Sequence, residues 1–304
     1  MESHSRRSTA AIVVTVLMTA PSTMATAGTT ATVGLLTGAL RFEDGLSRGK
    51  RGRLLAAFER EAATLYPDPT LGALNVHFFG QTGFAAIPDA SAPEGSSVAA
   101  TLQSRRSTCV GLAIVYLAFA ERVGLEARAV ATPVHLFIRV RLPDGIRNVE
   151  LMEGGIHLDD DIYRRRYRID PAAIEAGVFM QDLTTDEVLA HLLSNQGVAL
   201  SRQGKPRAAL RRYRKALDLA PDLVAAWYNQ GIDLMKQGHL KKALASFDRA
   251  IAIYPADGPA RNNRGLVRAQ LGDIEGARAD FERALQLEPG MREAEENLKR
   301  LLAR

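Results

Sequence analysis

The stretch GIDLMKQGHLKKALASFDRAIAIYPADGPARNNR, residues 231–264, decides the fold of the C-terminal third of the chain. Its pattern of small, aromatic and proline residues occurs three times with a period of 34 residues. The residues that recur at this spacing are Gly197, Gly231 and Gly265; Gly204, Gly238 and Gly272; Ala209, Ala243 and Ala277; Tyr213, Phe247 and Phe281; Ala216, Ala250 and Ala284; and Pro221, Pro255 and Pro289. One constant period in six sets predicts three copies of a helical hairpin at about 190–291.

Each recurring residue type has a physical role in such a hairpin. Small residues let two antiparallel helices approach closely, and we expect the aromatic residue to fill the gap between neighbouring repeats. The second glycine of each period ends the first helix, and proline ends the second because it cannot continue a helix. This spacing is the signature of tetratricopeptide repeats, which stack into an all-α solenoid of helical hairpins.

Both ends of the array are visible in the sequence. The tail Arg292–Arg304 carries apolar Leu298, Leu301 and Leu302 among charged residues, which predicts the solvated capping helix that an open stack needs. At the other end, Thr184 and Glu187 have the spacing of a capping box, which starts the first helix. The predicted array with its cap therefore covers residues 184–304.

Repeat stacks present a concave groove to an extended peptide or a helix. The candidates to line this groove are the equivalent residues Asn195, Asn229 and Asn263, and the equivalent pair Arg202 and Lys236. Residues 190–304 contain twenty Lys and Arg against thirteen Asp and Glu, a net charge of +7. One hypothesis is therefore capture of an acidic or C-terminal peptide by amides and cations. The alternative is that asparagine is common at this position and that the charges simply face water.

The N-terminus has the pattern of a secretory signal peptide. Arg6 and Arg7 precede an apolar run at 10–20, and the small-residue end Ala25-Thr26-Ala27 predicts cleavage after Ala27. The run is shorter than the roughly 20 residues that span a bilayer. We expect residues 1–27 to be a leader and the protein to be exported, periplasmic or secreted. The alternatives are a misassigned start codon or an uncleaved anchor, which would be the protein's one link to the membrane.

The segment between leader and repeats, residues 28–183, is predicted to mix helices and strands. Helical spacing at Leu54–Tyr66 stops at Pro67, and residues 86–97 read as a loop. Cys109 opens an apolar helix that ends before Gly124, with Ser107 and Thr108 as its N-caps. Three strand-like runs follow, at 127–132, 134–142 and 147–152, with a turn at 143–145 that predicts a hairpin.

This segment carries the candidate chemistry. A cysteine at a helix N-terminus meets unpaired N–H groups that favour a thiolate, which is the nucleophilic form. His135 opens the second strand and Glu150 lies near the end of the third, so a register centred on Asp144 puts them on one face. We expect Cys109 to be the nucleophile, His135 the general base and then acid, and Glu150 the group that orients the ring. Glu153 is a nearby rival for the third role.

The stretches 102–113, 133–137 and 149–155, with Phe78–Phe84 upstream, resemble the bacterial transglutaminase-like domain family of the transglutaminase and papain-like cysteine superfamily. The likeness covers roughly residues 50–290, because members of this family are often followed by tetratricopeptide repeats. It implies an α+β transglutaminase-like domain followed by an all-α solenoid, and a Cys, His, acid order of site residues. Many relatives lack the cysteine that this chain retains, and an Asp is more usual where this chain has Glu150.

Composition narrows the function further. The chain has 304 residues, 46% hydrophobic and 24% charged, which excludes long disorder and a polytopic membrane protein. A net charge of +5 gives little reason to expect nucleic-acid binding. The acids at 159–161 beside His157 are consecutive and cannot all converge, so we expect no metal and no cofactor.

Two functional hypotheses follow. In the first, the chain is a cysteine-dependent peptidase or a transglutaminase-like acyltransferase that hydrolyses or transamidates a peptide, isopeptide or amide. The repeats would then dock a substrate or partner protein. In the second, the core is catalytically inactive and the repeats form an interaction scaffold in the cell envelope.

Overall fold

The computed structural model describes residues 32–65, 69–87 and 93–303. The predicted leader at 1–27 lies outside this part of the chain, as do Pro67 and residues 88–92 of the predicted loop. The described chain has a mixed N-terminal region and a C-terminal array of helical hairpins. No described helix is long and apolar enough to cross a membrane.

Short helices form the outer layer of the N-terminal region. They are α1 (Thr32–Arg41), α2 (Arg48–Ala62), α3 (Leu71–Asn75) and α4 (Val98–Ser104), with 3-10 turns at Ala63–Leu65 and Pro93–Ser96 and a π-helical turn at Val76–Gln81. Helix α2 begins six residues before the predicted start at Leu54, because the Ser47 hydroxyl accepts a hydrogen bond from the Lys50 N–H at 3.2 Å and caps the helix there. Two short parallel strands, β1 (Ala85–Ala86) and β2 (Arg106–Ser107), lead into the centre of the domain.

The central helix α5 (Cys109–Arg122) confirms the predicted apolar helix. Residues 110–120 are all buried, as expected of a helix that is apolar on every face. Gly124 has a φ of +75°, in the left-handed region that glycine adopts without strain, and it ends the helix as predicted. Gly111 is required for a different reason, the lack of space for a side chain: a Cβ there would lie 2.0 Å from the Ser107 hydroxyl oxygen.

A three-stranded antiparallel sheet packs on α5. Its strands β3 (Glu126–Ala131), β4 (Leu136–Leu142) and β5 (Gly145–Val149) are neighbours in chain order. The predicted hairpin is confirmed, with Leu142 paired to Gly145 across a two-residue turn. The strands are shorter than the predicted runs, and this difference leaves two site residues just outside the sheet, as described below.

Two short helices, α6 (Asp160–Arg166) and α7 (Pro171–Glu175), connect the sheet to the array. The array consists of α8 (Thr185–Arg202), α9 (Pro206–Leu219), α10 (Val224–Lys236), α11 (Leu240–Ile253), α12 (Gly258–Leu271), α13 (Ile274–Leu287) and the capping helix α14 (Arg292–Leu302). Three hairpins and a cap are therefore confirmed. The capping box is also confirmed, since Thr184 and Glu187 bond reciprocally at the start of α8.

The recurring glycines and aromatics meet inside each hairpin. A Cβ on Gly197 would lie 2.4 Å from the Tyr213 ring, and one on Gly231 would lie 2.7 Å from the Phe247 ring. The aromatic residue was predicted to fill the gap between neighbouring repeats. It does contact the next repeat, because Phe247 clusters with Val267, but its ring lies first on the glycine of its own hairpin. Glycine is required there because an aromatic ring occupies the space of a side chain.

The array packs against the N-terminal region through its first hairpin. Val188, Leu189 and Leu192 of α8 belong to the same hydrophobic core as α1 and α5. The Arg212 guanidinium of α9, which is buried, bonds the exposed Asp44 carboxylate at 2.6 Å. These contacts place the first hairpin beside the mixed domain, with a cleft between them.

Candidate functional site

Cys109 is the first residue of α5 and is half-buried. Thr108 occupies the N-cap position as predicted, but it does not cap the helix with its side chain. Its hydroxyl donates instead to the Gly95 carbonyl at 2.7 Å, while the Ser107 hydroxyl accepts from Thr101 at 2.8 Å. No side-chain cap from Thr108 therefore competes for the first-turn N–H groups of α5 beside the thiol.

His135 lies immediately before β4 rather than inside it. A tight turn holds it there, in which the His135 N–H donates to the Thr132 hydroxyl at 3.0 Å and the Thr132 N–H donates to the His135 carbonyl at 2.8 Å. The side chain is only 9% exposed. The Tyr167 ring stacks on the imidazole with centroids 5.6 Å apart, so the ring orientation is fixed from one face.

Glu150 lies immediately after β5 and is completely buried. Both of its carboxylate oxygens lie within 3.0 Å of Nε2 of His135, at 3.0 and 2.9 Å. The Met152 N–H donates to Oε1 at 2.9 Å and fixes the carboxylate from behind. The rival Glu153 is exposed and bonds Arg166 instead, so the structure selects Glu150 as the partner of the ring.

The sheet register explains why His135 and Glu150 meet although neither lies in a strand. Ile138 pairs with Val149, so the same register sets Glu150 opposite Phe137, two residues from His135. Residues two apart on a strand share a face. The prediction that His135 and Glu150 lie on one face is confirmed, although the register is centred one half-step before the position expected.

Contacts within the site shift the pKa values of His135 and Glu150. Burial lowers the pKa of His135, but a hydrogen-bonding interaction with the Cys109 thiol, the bond to Glu150 and the charges of both raise it to about 9. Burial raises the pKa of Glu150, but the bond to His135, its charge and the Met152 N–H lower it below its ordinary value. Because Glu150 occupies Nε2, Nδ1 is the ring nitrogen that remains for the thiol. The arrangement favours a protonated imidazole held against the Glu150 carboxylate.

A stack of aromatic rings supports this pair and was missed by sequence reasoning. The Tyr163 ring stacks on Phe137 with centroids 3.8 Å apart, and Tyr167 continues the stack toward His135. Tyr163 is fully buried, and its hydroxyl helps to lower the pKa of Glu150. These tyrosines flank the arginine run at 164–166, which hides any apolar periodicity in α6.

Cys109 and His135 open into a cleft of about 1750 Å³ between the mixed domain and the array. Asn195 and Asn229, two of the groove candidates, line this cleft. Asn263 donates instead to the Tyr228 hydroxyl at 3.1 Å and supports a residue of the wall. Arg202 and Lys236 are exposed and are not among the residues that line it. The structure therefore places two of the five groove candidates in the cleft with the thiol.

The acids near His157 take structural partners. Asp160 bonds the buried Arg139 guanidinium through both oxygens, at 3.0 and 2.9 Å, and accepts from Asn148 at 2.8 Å. Within residues 32–65, 69–87 and 93–303, no group of three or more His, Cys, Asp and Glu side chains is placed to hold a metal ion.

Family models match most of the described chain. Residues 52–194 match the transglutaminase-like superfamily, and residues 194–258 and 231–303 match two tetratricopeptide repeat families. The chain combines a transglutaminase-like domain with tetratricopeptide repeats. Helix α8 belongs to both matches, in agreement with its position in the core of the domain and in the first hairpin.

Among curated proteins, the chain is similar to the UPF0162 proteins of two strains of Xylella fastidiosa, 9a5c and Temecula1, each with 28% identity over 111 residues. The match covers 36% of this chain and 39% of each relative, so it spans about two fifths of their length. Among solved structures, the first TPR domain of human RPAP3 is 28% identical over 38% of this chain and 90% of that chain, with a TM-score of 0.37. The Arabidopsis OM64 TPR domain is 24% identical over 39% and 98%, with a TM-score of 0.38.

Proposed function

We propose that this protein is an exported thiol-dependent acyl-transfer enzyme of the transglutaminase-like type, whose repeats dock a substrate or partner protein. The observation that carries the proposal is the buried Glu150 carboxylate on Nε2 of His135, at 2.9 Å, beside a cysteine that opens a helix in the wall of a cleft. A buried imidazole with a carboxylate on one nitrogen and a thiol at the other is the arrangement that activates a sulfur nucleophile.

The proposed reaction has two halves. The Cys109 thiolate attacks the acyl carbon of a peptide, isopeptide or amide, and the His135 imidazolium gives its proton to the leaving amine. The resulting thioester is then attacked by water or by a second amine, whose proton passes to the now neutral imidazole. Hydrolysis and transamidation thus differ only in the acceptor. Glu150 keeps the ring oriented and supports its charge in both halves.

An activated ester tests this proposal. A p-nitrophenyl ester acylates any reactive thiol, but release of the acyl group to give repeated turnover requires the base. The wild type should release nitrophenolate over many turnovers, and an added primary amine should compete with water for the acyl group. His135→Ala should stop after at most one acylation, and Cys109→Ala should not react.

The same assay separates the enzyme from the alternative, an inactive scaffold in the cell envelope. A scaffold would give a single slow acylation of Cys109 that is unchanged by His135→Ala. The matched control is His239→Ala, because His239 is exposed and lies in the array, away from Cys109. Equal turnover in wild type and His135→Ala would contradict the proposed mechanism.

Export is the second element of the proposal. It rests on the Arg6-Arg7 start, the apolar run and the Ala25-Thr26-Ala27 end. The experiment is expression in a bacterial host, followed by cell fractionation and mass determination of the mature chain. A mature N-terminus at Gly28 in the periplasm or the medium supports export, and an intact Met1 in the cytoplasm contradicts it.

A further inference from the structure

The cleft carries a charge opposite to that of the array that forms one of its walls. Among the described residues, six carboxylates and two guanidinium groups line it: Asp170, Asp186, Glu187, Asp222, Asp257 and Glu288 against Arg168 and Arg249. The net charge of the whole chain is +5. Acidic side chains are thus concentrated in the space that contains Cys109, while basic residues predominate elsewhere.

Several of these acids have a structural role. Glu187 completes the capping box of α8, and Asp170 accepts from the Ala172 N–H at 3.0 Å at the start of α7. Asp222 faces Arg249 at 3.8 Å. Acids at helix N-termini are stabilised by the helix dipole, so their presence alone indicates no ligand.

Asp257 also caps a helix, but it differs from these acids because the charge of Glu288 acts on it. Asp257 caps α12 with one oxygen, which accepts from the Ala260 N–H at 2.8 Å. Glu288 follows the C-terminal end of α13, where the helix dipole disfavours a negative charge. Its Oε1 lies only 2.9 Å from the position that a Cβ would take on Gly258, the neighbour of Asp257. The Glu288 carboxylate therefore lies against the backbone next to Asp257, near enough for its charge to act on Asp257. No ion pair among the described residues involves either acid.

Burial raises the pKa of both acids. Burial raises the pKa of Asp257 to about 6 and the charge of Glu288 raises it further, opposed by the Ala260 N–H and the charge of Arg261. Burial and the charge of Glu293 raise the pKa of Glu288, while Arg168 lowers it. Like charges that are held together in a partly desolvated site are relieved by a cation.

The sister repeats show that packing of the array does not demand this pair. The residues equivalent to Asp257 are Leu223 and Met291, and those equivalent to Glu288 are Ala220 and Tyr254. Apolar or aromatic side chains therefore suffice at both positions in the other repeats. The acids are specific to the place where α12 and α13 meet the cleft.

Aromatic rings stand beside the two acids. Tyr228 and Tyr254 line the same cleft, and the charges of Asp257 and Glu288 act together with burial to raise the pKa of both hydroxyls. Carboxylates next to aromatic faces suit ammonium and guanidinium groups, which gain both ion pairing and cation–π contact.

We propose that the cleft binds a polypeptide segment rich in lysine and arginine, with cationic side chains against Asp257 and Glu288 and the chain running toward Cys109. This inference names the substrate class of the proposed enzyme. The part that directs the segment toward Cys109 rests on the proposed function. It differs from the sequence-based hypothesis of an acidic or C-terminal peptide held by asparagine amides and by the cations Arg202 and Lys236, which do not line the cleft.

Binding can be tested without catalysis, in the full chain carrying Cys109→Ala. Two fluorescent peptides of equal length are compared by anisotropy, one with Lys and Arg and one with Glu and Asp at the same positions. The basic peptide should bind and the acidic one should not, although the net positive charge of the protein would favour the reverse. Added salt should weaken the binding because it screens the charges.

The matched variants locate the contact. Asp257→Asn with Glu288→Gln should weaken binding of the basic peptide roughly tenfold, a change typical of losing two charge contacts. Asparagine retains the cap of α12, so the fold is preserved. The control is Asp218→Asn with Glu275→Gln, which removes the same charge from exposed positions outside the cleft and should leave the affinity unchanged.

Three results would overturn the inference: tighter binding of the acidic peptide, binding of neither peptide, or equal losses in the cleft and control variants. Failure of the proposed enzyme is separate, because it would appear as absent turnover in the chain that retains Cys109. Binding of the basic peptide to Cys109→Ala would then still support the cleft assignment.

Discussion

The array and the transglutaminase-like domain differ in how often their important contacts occur. In the array the contact between a glycine and an aromatic ring occurs three times, as with Gly231 against Phe247 and its counterparts in the neighbouring hairpins. In the domain the decisive contacts occur once, as with His135 against Glu150. Because the contact between glycine and aromatic ring is repeated, the hairpins of the array can be recognised in the sequence. The contacts that define the candidate site of the domain have no second copy in the chain.

The two regions also differ in the surroundings of their buried carboxylates. Asp280 in the array is 2% exposed and holds Arg264 and Arg268, at 2.5 and 2.9 Å, within one hairpin. Glu150 is equally buried, but its partner His135 lines an open cleft. Asp280 holds two helices together, whereas Glu150 holds a titratable ring in the wall of the cleft.

The largest effect is expected from breaking the array's buried pair. Asp280→Asn removes the buried carboxylate that Arg264 and Arg268 share and leaves them the more exposed Asp248 and Asp273. Loss of one partner of a buried pair costs about 3 kcal/mol of unfolding free energy. Urea unfolding followed by fluorescence of Trp227, the single tryptophan, reports on the array. Glu282→Gln on the same helix breaks the exposed pair with Arg278 and should cost below about 0.5 kcal/mol. Equal losses of unfolding free energy in the two variants would show that the ion pairs of Asp280 do not stabilise the array.

A comparable effect is expected from pH in the domain. Because the pKa of His135 is raised from 6.5 to about 9, its stabilising contribution is complete below pH 6.5 and is lost as the pH rises through about 9. A shift of this size corresponds to something on the order of 3 kcal/mol. Calorimetry between pH 6 and 10 should show this loss in the wild type and a smaller one in Glu150→Gln. A pH-independent wild type would contradict the charged pair.

Glycine substitutions test the array's close contacts with a smaller effect. Gly231→Ala sets a methyl group against the Phe247 ring and should destabilise by about 2 kcal/mol. Gly52→Ala is the control, because a Cβ at this helical position meets nothing within 4 Å and should stabilise by about 0.5 to 1 kcal/mol. Thermal unfolding followed by circular dichroism separates the two. A stabilising Gly231→Ala would contradict the packing described.

The smallest effect is expected where the two regions meet. The Asp44 side chain that bonds Arg212 is 84% exposed, and pairs of this kind contribute at most about 1 kcal/mol. Asp44→Asn should therefore change the unfolding midpoint only slightly. A loss above about 2 kcal/mol would mean that this pair, rather than the apolar contacts of α8, joins the first hairpin to the domain.

The contrast also explains what could be predicted. The three hairpins, the capping helix and the capping box at Thr184 follow from local patterns and are confirmed. The helix at Cys109 and the β4–β5 hairpin are confirmed for the same reason. Each depends on a residue and its neighbours within one period or one turn, which the sequence displays directly.

Features that depend on distant parts of the chain were not predictable in detail. The Thr108 hydroxyl turns to the Gly95 carbonyl instead of capping α5, a choice fixed by a loop from another part of the domain. The stacking of Tyr167 on His135 brings together the residue after α6 and the residue before β4. The acidic lining of the cleft arises because Asp257 and Glu288, 31 positions apart in a basic segment, project into one space.

The central claim is that His135 and Glu150 keep the Cys109 sulfur in its reactive form. The direct measurement is the rate of iodoacetamide labelling at pH 6, which reports one site because the chain has a single cysteine. An ordinary thiol is almost fully protonated at this pH. The account predicts labelling at least about tenfold faster in the wild type than in His135→Ala, with His239→Ala like the wild type. Equal rates in the wild type and His135→Ala would contradict it.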